Sequence, residues 1–146
     1  MEKLPLNKEL LEERLNTIEE SYESLSRFKN QSLEQFKANS DNFRIAYYDL
    51  YTALESVLDI GAHILSRIPG RRPTSYKEIA YLLSEEKIVP GEFSEKKLIK
   101  MAGYRNRMVH FYHKITMEET YQIIQNHLDD FRKFSSYIKI LLKNQK

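Results

Sequence analysis

Residues 40–65, SDNFRIAYYDLYTALESVLDIGAHIL, carry apolar side chains at intervals of three and four, the spacing that puts them on one face of an α-helix. The apolar positions are Ile45, Leu50, Leu54, Val57, Leu58, Ile60 and Leu65. Either Ser40 or Asp41 can cap this helix, because its side-chain oxygen accepts hydrogen bonds from the first free N–H groups. Pro69 and Gly70 then end it. The stretch therefore predicts one long helix.

Gly61 lies inside this predicted helix, where glycine costs about 1 kcal/mol relative to alanine. Such a residue is tolerated most easily where a second backbone comes close and leaves no room for a side chain. We therefore expect a neighbouring helix to pack tightly against Gly61.

An earlier helix is predicted by a narrow apolar seam of the kind found in coiled coils. In this seam, apolar residues recur every seven positions, and a further apolar residue lies between successive repeats. The seam consists of Leu4, Leu11, Leu15, Ile18, Tyr22 and Leu25. It can pack within the monomer or against a second chain, and the pattern is compatible with both.

Three later helices are predicted from capping residues and from the chain break at Pro90-Gly91. The caps are Ser75 in a capping box with Glu78, Ser94 alone, and Thr116 in a capping box with Glu119. The last helix continues through Leu142. Short connections between long helices favour antiparallel neighbours. The predicted fold is all-α, an up-and-down antiparallel bundle of about five helices that forms a single domain over residues 1–146.

Composition excludes several classes of function. The 23 basic and 21 acidic residues give a formal net charge of +2, so any contact with a nucleic acid must be local. The absence of cysteine excludes disulfides, thiolate metal ligands and a cysteine nucleophile. Neither a secretory signal nor an apolar run long enough for a membrane span is evident. A cytoplasmic location without membrane contact is therefore expected.

Residues 105–112, RNRMVHFY, hold the densest group of side chains suited to catalysis. A histidine such as His110 can accept or donate a proton near neutral pH, since its ordinary pKa is about 6.5. Arg105 offers a fixed positive fork that matches a phosphate, including one that gains charge in a transition state. A base and such a cation are the minimum for cleaving RNA without a metal ion. Asn106, four residues before His110, could orient it by hydrogen bonding.

In a straight helix, Arg105 and His110 would lie about 140° apart around the axis. Three arrangements could still bring them together. The helix could end before His110, the long arginine could reach around it, or two chains could contribute to one cleft. The sequence leaves all three open.

The order arginine, four residues, histidine, one residue and tyrosine, in Arg105, His110 and Tyr112, resembles the signature of the HEPN superfamily in its HepT-like branch. Residues 54–64, LESVLDIGAHI, are similar to the second helix of that branch. The resemblance extends over nearly the whole chain. It implies a HEPN-like bundle that forms a homodimer, with the motif lining a cleft at the subunit interface.

This resemblance implies a metal-independent endoribonuclease toxin of a type II toxin–antitoxin pair, acting on RNA and not on DNA, with no metal or cofactor. Arg105 and His110 would be the catalytic pair, supported by Asn106. Tyr112 would be the tyrosine that a partner nucleotidyltransferase antitoxin of the MntA kind modifies with AMP. AMPylation would silence the toxin, because the added phosphate brings negative charge and bulk into a phosphate-binding cleft.

Other residues have weaker indications. Arg107, where the family often has an apolar residue, and the loop residues Arg71 and Arg72 could contact RNA, although such exposed cations are usually only solvated. Asp59 and His63 could share a hydrogen bond or form half a metal site, but no third ligand stands at a suitable spacing. The cluster of tyrosines at 47, 48 and 51 is expected to fill the core or an interface rather than stack on bases.

Two rival functions fit the same sequence. One is a non-catalytic helical subunit that binds the substrate of a minimal nucleotidyltransferase, or presents Tyr112 to it. The other is a structural protein that dimerises through the apolar seam of the first helix. RNA cleavage by the unmodified protein distinguishes the nuclease from both.

Overall fold

A computed structural model describes residues 2–110 and 115–145. Within these ranges the chain forms helices and no strand, which confirms the predicted all-α class. The helices are α1 Lys8–Ser26, α2 Leu33–Ala38, α3 Ser40–Ser66, α4 Tyr76–Glu85, α5 Gly91–Phe93, α6 Ile99–Val109, α7 Met117–His127 and α8 Asp129–Asn144. A π-helical segment, Ser94–Leu98, joins α5 to α6.

Helix α3 is the central element of the bundle. It packs against α1, α2, α4, α6, α7 and α8. Its side chains Leu50, Leu54, Ile60 and Ile64 are fully buried. Burying apolar area on this scale is the main source of stability in such a domain, at about 25 cal/mol per Å² removed from water.

The apolar seam of α1 packs within the monomer. Leu11, Ile18 and Leu25 are fully buried, and the main neighbour of α1 is α3. Leu4 lies before the helix, because Asn7 is the N-cap and its side chain accepts a hydrogen bond from the backbone N–H of Leu10 at 3.1 Å. The seam therefore builds the core of this chain rather than a surface for a second one.

A short helix that the sequence reading missed, α2, precedes the long one. Ser32 caps it in a full capping box with Gln35, and its Phe36 is fully buried with its ring edge against Phe28. The residue that caps α3 is Asn39, whose side chain accepts from the N–H of Asp41 at 3.0 Å. The prediction of Ser40 or Asp41 as the cap was therefore wrong by one or two residues.

The predicted cap Ser94 was also wrong. The helix begins earlier, at Gly91, and Ser94 lies inside the continuous run of α5, the π-helical segment and α6. Its buried hydroxyl donates to the carbonyl oxygen of Ala80 at 2.6 Å. Ser94 therefore ties this run to α4 instead of starting a helix.

The two other predicted caps are confirmed in part. The side chains of Ser75 and Thr116 accept from the N–H groups of Glu78 and Glu119, each at 3.1 Å. The two glutamates do not complete the boxes, because Glu78 accepts from Thr74 and Glu119 binds an arginine of α6. The single fifth helix that was predicted is divided at Leu128 into α7 and α8.

Gly61 lies directly against α4. A Cβ atom at Gly61 would lie 2.6 Å from Cγ2 of Ile79 and 3.1 Å from Cδ1 of Leu83, both on α4. This contact confirms the expected close approach of a neighbouring helix.

Among the described helices, none combines the length and the apolar composition that crossing a bilayer requires.

We predict that Gly61→Ala destabilises the protein by about 1 kcal/mol, since the overpacking cost of about 1–3 kcal/mol exceeds the helix-propensity gain. Gly103→Ala is the matched control, because a Cβ there meets nothing within 4 Å in α6. That control should gain up to about 1 kcal/mol. Urea unfolding measures both changes, and a Gly61→Ala variant as stable as Gly103→Ala would contradict the prediction.

Candidate active site

Helix α6 carries the motif, and its C-terminal end is held against α3. The hydroxyl of Tyr47 donates to the carbonyl oxygen of Met108 at 3.2 Å. The helix ends at Val109, and His110 follows with φ −94° and ψ 116°, an extended conformation. His110 is exposed. The helix therefore stops before the imidazole, as the first of the three arrangements that the sequence left open requires.

Arg105 lies between α3 and α4 with its side chain only 18% exposed. Its Nε donates to Oε1 of Glu55, and its guanidinium carbon lies 4.4 Å from the centre of the Tyr76 ring. Desolvation lowers the pKa of Arg105, but the hydrogen bond and charge of Glu55 outweigh it, so the pKa is raised. The guanidinium therefore stays cationic although it is largely covered.

Two residues of the motif keep polar side-chain atoms that make no hydrogen bond within the described part of the chain. Within residues 2–110 and 115–145, the two Nη atoms of Arg105 and the side chain of Asn106 have no hydrogen-bond partner. No hydrogen bond joins Asn106 or Arg105 to His110 in the same ranges. The bond expected between Asn106 and His110 assumed a continuing helix, and the helix ends one residue too early for that spacing to apply.

Arg107 makes a different kind of contact. Its Nη1 and Nη2 donate to the two carboxylate oxygens of Glu119 in the first turn of α7, both at 2.7 Å. This hydrogen-bonded pair lowers the pKa of Glu119 and raises that of Arg107. Arg107 thus links α6 to α7 and has its charge balanced within the fold, which weakens the case for it as an RNA contact.

The two loop arginines differ from each other. Arg71 pairs with Glu85 at 2.9 Å and with Glu86 at 3.6 Å, so its charge is compensated. Arg72 is exposed and makes no ion pair with the described residues. If this loop contacts RNA, Arg72 is the better candidate.

A groove of about 700 Å³ lies beside the end of α6, and we call it the tyrosine groove. It is lined by Phe43, Arg44, Tyr47, Tyr48, Tyr51, Met108 and Val109. Tyr48 is 67% exposed and Val109 is 44% exposed. The tyrosines at 47 and 51 are half-buried against the core, whereas Tyr48 presents apolar surface next to the motif.

The pair Asp59 and His63 is not a site. Asp59 accepts from Nε of Arg14 at 3.2 Å, and Nε2 of His63 accepts from the backbone N–H of Asn7 at 3.0 Å. Each side chain therefore has a separate structural partner. In the described ranges, no group of three or more His, Cys, Asp and Glu side chains is arranged to hold a metal ion.

Tyr112, the predicted AMPylation site, lies outside the described residues. Two residues that the sequence reading missed, Glu55 and Tyr76, contact Arg105 directly. The signal for Glu55 was weak, because an acidic residue on a long helix is usually solvated. Tyr76 follows the predicted cap Ser75, which fixed its place in a helix but not its contact with α6.

Comparison with known proteins identifies the family. The model of the family described as Ribonuclease HepT-like matches residues 18–138. An mRNA nuclease HepT of Shewanella oneidensis is 30% identical over 72% of this chain and 78% of its own length. A tRNA nuclease HepT of Aphanizomenon flos-aquae is 26% identical over 88% and 90%.

The fold is also shared with solved structures. One is a tri-AMPylated HEPN toxin of Shewanella oneidensis in complex with its MNT antitoxin. It superposes with a TM-score of 0.79 and 25% identity over 90% of this chain and 97% of that one. The match of the family model and the identity to the Shewanella nuclease agree with the motif in α6, and this chain belongs to the Ribonuclease HepT-like family.

Proposed function

We propose that this chain is a metal-independent endoribonuclease toxin that acts as a single domain and is silenced by AMPylation of Tyr112. The observation that carries the proposal is the end of α6 at Val109, which leaves His110 exposed immediately after the helix that holds the cationic Arg105. The relatives described as mRNA and tRNA nucleases support RNA as the substrate. No DNA substrate is proposed.

The proposed reaction uses the ribose hydroxyl as the nucleophile. His110 takes the proton from the 2′-hydroxyl or returns a proton to the leaving 5′-oxygen, and Asn106 helps to position the reacting groups. The 2′-oxygen bonds to phosphorus while the bond from phosphorus to the 5′-oxygen breaks. Arg105 stabilises the negative charge that gathers on the phosphoryl oxygens. The products are a 2′,3′-cyclic phosphate and a 5′-hydroxyl, and no metal-bound water is needed.

We predict that the purified protein cleaves RNA in the presence of EDTA and leaves those two kinds of end. Arg105→Ala and His110→Ala should each slow cleavage by about 100-fold or more, the usual contribution of a charge-stabilising group or a general acid-base. The matched control is Arg132→Ala, which removes an exposed arginine paired with Glu19 on the surface. Labelled RNA on denaturing gels measures the rates. Intact RNA with the wild-type protein would contradict the proposal.

Silencing is proposed to proceed through Tyr112 and a partner nucleotidyltransferase of the MntA kind. The AMPylated relative in complex with its antitoxin supports this partner. The α-phosphorus of ATP would bond to the phenolic oxygen of Tyr112, and pyrophosphate would leave. Because Tyr112 follows His110 by two residues, the phosphate of the attached AMP would compete with the phosphate of RNA for the same cationic site.

We predict that incubation with such a transferase, ATP and Mg²⁺ adds AMP to Tyr112 and stops RNA cleavage. Intact-mass and peptide mass spectrometry locate the modification. Tyr112→Phe should prevent it, whereas Tyr81→Phe, a change at an exposed tyrosine that does not line the tyrosine groove, should not. AMP on Tyr112 in a protein that never cleaves RNA would instead favour the non-catalytic partner subunit.

A homodimer is proposed to form over the tyrosine groove. Ile45 and Tyr48, three residues apart on α3, and Val109 at the end of α6 all expose large apolar surface. Such a patch next to the motif is typical of a protein interface. Association there would bring the two copies of His110 close to one cleft, in the composite site that the family resemblance implies.

We predict that Tyr48→Arg converts the dimer to a monomer and lowers RNA cleavage, because it places a charge in the centre of this surface. Tyr81→Arg is the matched control, since Tyr81 is 57% exposed on α4 and does not line the groove. Sedimentation velocity measures the oligomeric state. A wild-type monomer, or a Tyr48→Arg variant that stays dimeric, would contradict the prediction.

A further inference from the structure

Glu55 is the residue of α3 that contacts Arg105, and the proposed reaction gives it no role of its own. Its side chain is 29% exposed. One carboxylate oxygen accepts from Nε of Arg105, across a separation of 50 residues in sequence. The contact is therefore a feature of the tertiary fold, close to the proposed chemistry.

The atom that Glu55 binds is the informative detail. A guanidinium can bind a carboxylate as a fork through two nitrogens, and Arg107 does so with both of its Nη atoms on Glu119. Arg105, two residues earlier on the same helix, is held from the side through Nε. In the described part of the chain, its two Nη atoms remain available for a second anion.

Tyr76 fixes the remaining freedom of the guanidinium. With the Tyr76 ring centre 4.4 Å from its central carbon and Glu55 on its Nε, the planar group is constrained in position and in rotation. An arginine ordered before the substrate arrives does not lose that freedom during the reaction.

The negative charge of Glu55 predicts how kcat and KM should change when this residue is lost. A carboxylate near a phosphate repels it, so Glu55 does not assist binding of RNA through its own charge. Its benefit must come from ordering Arg105 for the transition state. Loss of Glu55 should then lower kcat, while KM stays the same or falls.

We propose that Glu55 is a positioning residue for Arg105: by accepting from Nε, it turns the Nη edge of the guanidinium toward the scissile phosphate. This inference rests on the proposed ribonuclease function. Glu55 does not itself touch the reacting atoms, and it acts through the arginine.

The test compares Glu55→Ala, Glu55→Gln and Asp59→Ala in steady-state RNA cleavage. Glu55→Ala should lower kcat by about 10- to 100-fold, the scale of a displaced catalytic group, without raising KM. Glu55→Gln keeps an acceptor oxygen of the same reach and should recover most of kcat. Asp59→Ala is the matched control, because Asp59 lies one turn further along α3 and pairs with Arg14. Its kcat should equal that of the wild type.

A second measurement follows the contact itself. The Nε–H proton of Arg105, assigned by its loss in Arg105→Lys, should exchange slowly with solvent in the wild type and in Glu55→Gln. It should exchange quickly in Glu55→Ala. Equal exchange in all three proteins would overturn the inference whatever their activity.

The remaining outcomes separate this inference from the function on which it rests. Unchanged or faster cleavage by Glu55→Ala, a raised KM as its main defect, no recovery in Glu55→Gln, or an equal loss in Asp59→Ala would each overturn the role of Glu55 alone. In all of these cases the wild type still cleaves RNA. A wild type that leaves RNA intact in EDTA would remove the ribonuclease proposal, and the role of Glu55 with it.

Discussion

The structure depends on covering α3, a helix of 27 residues with buried side chains on several faces. Six other helices pack around it, and the position of the motif helix follows from two of its polar side chains. Tyr47 donates to the carbonyl of Met108 near the end of α6, and Glu55, two turns further along α3, accepts from Arg105. The central helix therefore serves as both the core of the bundle and the wall of the candidate site.

Much of the fold was predictable, because helix periodicity and N-caps are local signals. The caps Ser75 and Thr116 were found for this reason, and the close packing at Gly61 followed from a glycine inside a helix. Helix α2 was missed although Ser32 and Gln35 show the spacing of a capping box, since six residues carry no clear period. Ser94 was misjudged because its hydroxyl bonds a distant carbonyl, which no local pattern reveals.

The candidate site was predictable to a lesser degree. The short motif pointed to Arg105 and His110, but it could not show that α6 ends at Val109, between these two residues. The partners of the arginines were not predictable, because Glu55 and Glu119 stand 50 and 12 residues away from the residues they bind. Contacts between side chains that are far apart in sequence produce no periodic pattern. The sequence therefore did not show that Arg105 and Arg107, two arginines of one helix, bind different partners.

The glycine at position 61 has a consequence beyond the stability of the core. It lets α4 lie close to α3, through Ile79 and Leu83, and the first turn of α4 carries the ring on which the arginine rests. An added methyl group at position 61 would meet the side chains of Ile79 and Leu83, so α4 could not keep this packing without a shift. The surroundings of Arg105 therefore depend on a glycine that does not contact the arginine itself.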